Sequence, residues 1–195
     1  QDPGRGAYPR KDAADPIQSS LIVDEADQAG CELLIAGHSA TGLAQTYGTP
    51  LYVYDAGSFR HQLAALREAV GERVDIYYSV KANPNVEVIR TFVNEGAGLE
   101  IASAGEYVRA RAAGCSTERI LFAGPGKTRE ELAYVMASGI GEIHLETEEE
   151  IVHVADIAHS LGKKQSVSLR INPVAAVQGG SMRMGGKPAQ FGFDE

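Results

Sequence analysis

From Asp75 to Asn172 the chain keeps one beat: an alternating apolar and polar run, a turn, an amphipathic stretch, a glycine, then the next run. Strand-like runs separated by helical stretches read as βα units, and strands joined through helices must lie parallel. The expected strands are Asp75–Lys81, Gly98–Ser103, Arg119–Ala123, Glu142–Glu146 and Ser166–Asn172. The expected helices are Val86–Asn94, Gly105–Ala113, Arg129–Ala137 and Glu148–Leu161. In the first of these, Val86, Ile89 and Val93 share one face. Ser103 with Glu106, Thr128 with Glu131, and Thr147 with Glu150 give three helix starts the spacing of a capping box. Gly96, Gly114, Gly139 and Gly162 stand where helix ends prefer glycine.

Repeated βα units fold either as an open doubly wound sheet or as a closed (β/α)8 barrel. Alternation within the strands separates the two. Ile76, Tyr78 and Val80 face one way, while Tyr77, Ser79 and Lys81 face the other. Leu99 and Ile101 oppose Glu100; Ile143 and Leu145 oppose His144 and Glu146; Val167, Leu169 and Ile171 oppose Ser168, Arg170 and Asn172. A sheet covered by helices on both faces would be apolar on both. One apolar face and one carrying Lys, Glu, His and Arg fits helices outside and a polar barrel mouth inside. The fold class is therefore α/β, a TIM-type barrel with five of its eight strands in this chain.

Upstream, residues 1–20 are polar and rich in Pro and Gly, and read as a disordered tail or an expression remnant. Residues 21–57 form a lead-in segment: apolar runs of undecided type, a short helix in "SATGLAQTYGTP" stopped by Gly48 and Pro50, and "LYVYD" as a strand. Residues 58–195 are the partial barrel, beginning with a helix from Ser58 to Val70. A formal net charge of −8 argues against nucleic acid as a partner. No apolar run reaches the length of a membrane span. Cys31 and Cys115 are far apart and make no metal-ligand spacing, which fits a reduced, cytoplasmic setting without a metal.

In barrels of this type the active site lies at the C-terminal ends of the strands. Lys81 and Arg170 fall at or near those ends, with Glu100 slightly deeper. Each has a plain alternative: Lys81 as a solvated strand end, and Glu100 with Arg170 as a structural ion pair. Glu106, Glu131 and Glu150 read as caps and nothing more, and His144 as a satisfied core or loop histidine. "GPGKT", Gly124 to Thr128, lacks the earlier glycine of a phosphate-binding P-loop, since Leu121 stands there. "GGSMRMGGKPAQFG" is a glycine-rich, basic stretch that reads equally as a lid or as a flexible loop. An inward lysine with a carboxylate and an arginine nearby suits pyridoxal phosphate, whose aldehyde requires an amine.

The motifs YYSVKANPN, GAGLEIASAGE, ERILFAGPGKT, SLRINP and QFGF, in that order, resemble the fold-type III pyridoxal phosphate decarboxylases of the ornithine, diaminopimelate and arginine decarboxylase family. The nearest group is diaminopimelate decarboxylase-like, and "YGTPLYVYD" matches that family's lead-in to the barrel from a β-domain. The resemblance covers residues 33 to 195. It implies that Lys81 is the Schiff-base lysine and that Glu100 replaces the usual Asp beside the cofactor ring. It also implies that Arg170 is the strand-end arginine near the cofactor and that Ser103 and Glu106 are the family's Ser-x-x-Glu. Gln190 stands where a lysine usually precedes Phe-Gly, which makes RMGGKPAQFGFDE more similar to decarboxylases acting on unusual or carrier-linked amino acids.

The resemblance thus implies release of CO2 from a diaminopimelate-like or specialised, carrier-linked amino acid, in a homodimeric enzyme. That family needs eight barrel strands and a β-domain, so the chain reads as the N-terminal part of a longer enzyme, inactive alone. Two alternatives stay open: a non-catalytic pyridoxal phosphate-binding or regulatory barrel, and an alanine racemase-like enzyme.

Overall fold

The computed structural model describes residues 32–172 and 191–194. The 1–20 segment, Cys31, and the glycine-rich 173–190 stretch with Gln190 lie outside the described residues. The chain divides into two units, Gln1–Asp55 and Ala56–Glu195.

In the first unit, β1 (Leu34–Ile35) and β2 (His38–Ser39) pair antiparallel around Ala36 and Gly37. Both turn residues have positive φ, 49° and 81°, as a two-residue hairpin turn whose twist matches its strands requires. Helix α1 (Ala40–Tyr47) follows; Ser39 accepts from the Gly42 amide at its start, and Gly48 closes its end. The expected strand in "LYVYD" is not formed, and residues 51–55 pair with no other strand among the described residues. Its alternating apolar residues match a strand, but a strand without a ladder leaves its backbone groups unpaired.

The second unit starts with α2 (Ala56–Val70), followed by β3 (Tyr77–Ser79), a 3-10 turn at Val80–Ala82, α3 (Val86–Asn94) and β4 (Gly98–Ile101). Then come α4 (Ala104–Ala112), β5 (Ile120–Phe122), α5 (Arg129–Ala137), β6 (Glu142–Leu145), α6 (Glu148–Leu161) and β7 (Ser166–Leu169). Strands β3 to β7 form one parallel sheet in sequential order, with Ser79 opposite Glu100 and His144 opposite Ser168. A doubly wound sheet would reverse its order at a switch point. Sequential order with neighbouring helices α2 to α6 in sequential contact is the arrangement of a TIM-type barrel wall. The expected barrel class therefore holds, with five parallel strands in this sheet among the described residues.

The apolar faces of the strands meet those helices. Val80, Leu99, Ile101, Phe122, Ile143 and Leu145 share one buried cluster with Ile89, Leu132, Val135, Val154 and Ile157. Burying each such side chain contributes roughly 1.5–3 kcal/mol, so this face holds the wall together. Tyr78 extends the cluster by stacking on Phe92, with ring centroids 4.0 Å apart. Gly141 sits where a Cβ would come within 2.3 Å of the Glu118 carbonyl oxygen, so the chain enters β6 through a backbone contact that admits no side chain. Cys115 is buried, its Sγ 3.8 Å from the Arg119 carbonyl oxygen; burial pushes its thiol above the ordinary range.

The helix starts behave as their spacing predicts. Ser103, Thr128 and Thr147 accept from the amides of Glu106, Glu131 and Glu150, and at Thr128 the capping box is complete. All five strands are shorter than expected, and at two of them the difference moves a candidate site residue. The first strand ends at Ser79 and turns into the 3-10 segment, so Lys81 is not on a strand. The last is broken at Arg170 into β7 and β8 (Ile171–Asn172), and β8 pairs with β9 (Phe193–Asp194). Val167, Leu169 and Ile171 are exposed there, and among the described residues no helix after β7 packs on them.

Candidate active site

At the C-terminal ends of parallel strands, side chains that alternate away from the helices converge. Glu100, His144, Glu146, Ser168 and Arg170 line a cavity of about 520 Å3 on that face, within the roughly 300–1,000 Å3 of small-molecule sites. Lys81 reaches this rim from the neighbouring turn. Its Nζ donates to Glu100 Oε1 at 3.4 Å, with the lysine side chain 64% exposed and the glutamate 23%. The break after Ser79 accounts for this reach: a continued strand would fix the lysine by alternation, whereas the 3-10 turn redirects it while Val80 anchors the backbone in the core.

Arg170 lies on the other side of the cavity, at the break between β7 and β8. Its Nη1 donates to Glu146 Oε2 at 3.1 Å, and its guanidinium stands 5.0 Å over the Phe191 ring. Lys81 and Glu100 are thus brought together, and Glu100 and Arg170 share one cavity. The expected alternative of a Glu100–Arg170 ion pair is not formed, because each has a nearer partner: Lys81 in the turn after β3 for Glu100, and Glu146 just past β6 for Arg170.

Sequence reasoning passed over a second set of charges. Glu146, just past β6, is fully buried and accepts from the Gly124 amide at 2.7 Å as well as from Arg170. Lys127, in the GPGKT turn, is buried with its Nζ 2.9 Å from both carboxylate oxygens of Glu150, and it also donates to the Gly124 carbonyl. Glu150 in turn accepts from the Glu146 amide at 2.8 Å. Its expected role as a cap alone is therefore incorrect: its amide is capped by Thr147, but its carboxylate holds a buried lysine. The signal for Glu146 was present, since alternation puts it on the polar side of its strand. Nothing in one sequence marks Lys127 as buried.

His144, expected in the core or a loop, lines the cavity with its Nε2 3.1 Å from Glu142 Oε1. Ser79, the register partner of Glu100, carries a buried hydroxyl that makes no hydrogen bond to the described residues. Such an atom costs about 1–3 kcal/mol unless a ligand or water satisfies it. An exposed amine beside a cavity-lining carboxylate, with a cationic side chain in the same cavity wall, gives the groups that an aldehyde-bearing, phosphorylated cofactor such as pyridoxal phosphate requires. The residues present fit that group.

Comparison with known proteins points the same way. The chain is 40% identical over 155 residues to the L-glutamyl-BtrI acyl-carrier protein decarboxylase of Niallia circulans, covering 80% of this chain and 36% of that protein. It is 44% identical over 135 residues to the diaminopimelate decarboxylase of Zymomonas mobilis, covering 67% of this chain and 32% of that one. The crystal structure of a diaminopimelate decarboxylase from M. jannaschii superposes with a TM-score of 0.76 at 28% identity, over 84% of this chain and 39% of the other. The chain thus spans about a third of the length of the curated relatives it matches. Among the described residues no helix is long and apolar enough to cross a membrane. The family described as "Pyridoxal-dependent decarboxylase, pyridoxal binding domain" matches residues 56–195, which takes in the whole sheet and every residue of the cavity. By this match the chain belongs to the pyridoxal-dependent decarboxylases, and the cofactor that goes with it is pyridoxal 5′-phosphate.

Proposed function

We propose that the protein carrying this chain decarboxylates an amino acid with pyridoxal phosphate, and that Lys81 is the residue to which the cofactor attaches. The observation that carries the reading is the Lys81 amine, 3.4 Å from Glu100, at the rim of a strand-end cavity that Arg170 also lines. What the cofactor would supply when bound is an electron sink for the pair left on Cα when its bond to the carboxylate breaks and CO2 leaves.

The chain's own residues bind and orient. Glu100 accepts from Nζ and so fixes where the Lys81 amine stands. The same carboxylate lines the cavity and offers an anionic contact to a cationic ring or ammonium group. Arg170 presents guanidinium donors suited to a carboxylate or phosphate. His144 forms part of the wall between them, its ring tied to Glu142.

Diaminopimelate or a carrier-linked amino acid is the proposed substrate class, supported by relatives of both kinds. A cytoplasmic homodimer is the proposed form. The test uses the full-length protein. Wild type should bind pyridoxal phosphate with a shifted absorbance band and release CO2 from one member of a panel of free and carrier-linked amino acids. Lys81→Ala should lose both the band and turnover. Retained turnover in that variant overturns the assignment.

A further inference from the structure

The buried charges behind the cavity balance only when Arg170 is included. Lys127 and Glu150 neutralise each other across two 2.9 Å contacts, with side-chain exposures of 1% and 5%. Glu146, whose side chain is 0% exposed, has no share in that exchange; Arg170 is its cationic partner. Leaving a buried carboxylate without a cation costs several kcal/mol. The guanidinium is therefore drawn toward the end of β6 and held there by its Nη1. Arginine has five N–H donors in a rigid fork, so one terminal nitrogen held by Glu146 leaves donors on the others for a ligand.

The carboxylate is itself held in place. Its oxygens accept from the Gly124 amide and from Arg170, and its backbone amide donates to Glu150. Lys127 closes the ring by bonding both Glu150 and the Gly124 carbonyl. Gly124, at φ 109°, is thus bound through both its amide and its carbonyl. The turn after β5, the end of β6 and the break after β7 are joined through one buried anion.

We propose that Glu146 is a positioning residue for ligand binding: backed by the Lys127–Glu150 pair, it aims Arg170 into the cavity to hold an anionic group of the cofactor or substrate. This rests on the reading of the cavity as the pyridoxal phosphate site. In this role Glu146 acts through Arg170, its carboxylate being taken up by the Gly124 amide and the guanidinium.

The test is a double-mutant cycle on pyridoxal phosphate affinity, read by absorbance titration of the full-length protein. Glu146→Gln keeps the shape and the acceptor for Gly124 but removes the charge. Arg170→Lys keeps the cation and loses the fork. Each is expected to weaken binding roughly tenfold or more, and the double variant no further than the weaker single, because the two act as one unit. Glu146→Asp, which keeps the charge, should recover part of the loss, and it replaces Glu146→Gln in the cycle if that variant does not fold. Wild-type affinity in Glu146→Gln, or additive losses in the double variant, overturns the positioning role while leaving the cofactor site intact. Failure of wild type to bind pyridoxal phosphate overturns the site and this role together.

Discussion

Two lysine–glutamate pairs stand on the same end of the sheet, and they differ in nearly everything but composition. Lys81 and Glu100 meet at 3.4 Å with the lysine largely in solvent. Lys127 and Glu150 meet at 2.9 Å through both carboxylate oxygens, away from solvent. An exposed pair adds little to stability, because water and salt screen it. A buried pair loses hydration on both sides, so its value shows when one partner is removed and the other is left uncompensated. The buried pair is therefore structural, holding the turn after β5 to the start of α6. The exposed amine is the one free to react. Finding a lysine near a strand end says less than finding which of two lysines the fold has left accessible.

The contrast can be broken experimentally, and the largest effect belongs to the buried pair. Lys127→Ala in the intact protein should cost about 3–5 kcal/mol in urea unfolding, since Glu150 is left charged and dry. A loss below about 1 kcal/mol would mean that the pair is wetter than its burial indicates. The double change Lys127→Met with Glu150→Leu should cost less, about 1–3 kcal/mol. It removes both charges but strands the Glu146 amide and the Gly124 carbonyl without their present partners. A double variant worse than Lys127→Ala would show that those hydrogen bonds, and not the charges, carry the stability. Lys81→Ala, measured without cofactor, should change stability by less than about 1 kcal/mol, even though its proposed effect on turnover is total. The smallest effect is that of salt: raising ionic strength should shift the Lys81→Ala difference by a few tenths of a kcal/mol at most and leave the Lys127→Ala difference unchanged.

Much of the fold was legible because βα units announce themselves locally. α3, α5 and α6 begin and end where capping residues and glycines place them. Strand alternation separated the helix-facing Leu99, Ile101 and Ile143 from the cavity-facing Glu100 and His144. The same alternation extended the first strand too far, since it cannot register that the backbone tightens into a 3-10 turn at Val80. "LYVYD" failed for the complementary reason: its pattern is strand-like, but a strand is made by its neighbour, and no strand pairs with it among the described residues. At the site, Lys81, Glu100 and Arg170 could be picked out one by one. Their pairing could not, because it depends on which strand ends lie side by side. Lys127 was hidden further, as the capping of α5 by Thr128 already accounted for the turn that carries it.

The sequential strand order also bears on how the rim assembles. Lys81 bonds Glu100, Gly124 bonds Glu146, and Glu146 bonds Arg170, at separations of 19, 22 and 24 residues. The carboxylate of Glu131 reaches back 27 residues to the Ala104 amide. Each of these contacts joins one βα unit to the next, so none must wait for a distant part of the chain. Closing loops of this length costs less chain entropy than pairing segments from opposite ends of the sheet. As the chain emerges during synthesis, each new unit can therefore complete the polar rim of the unit made just before it.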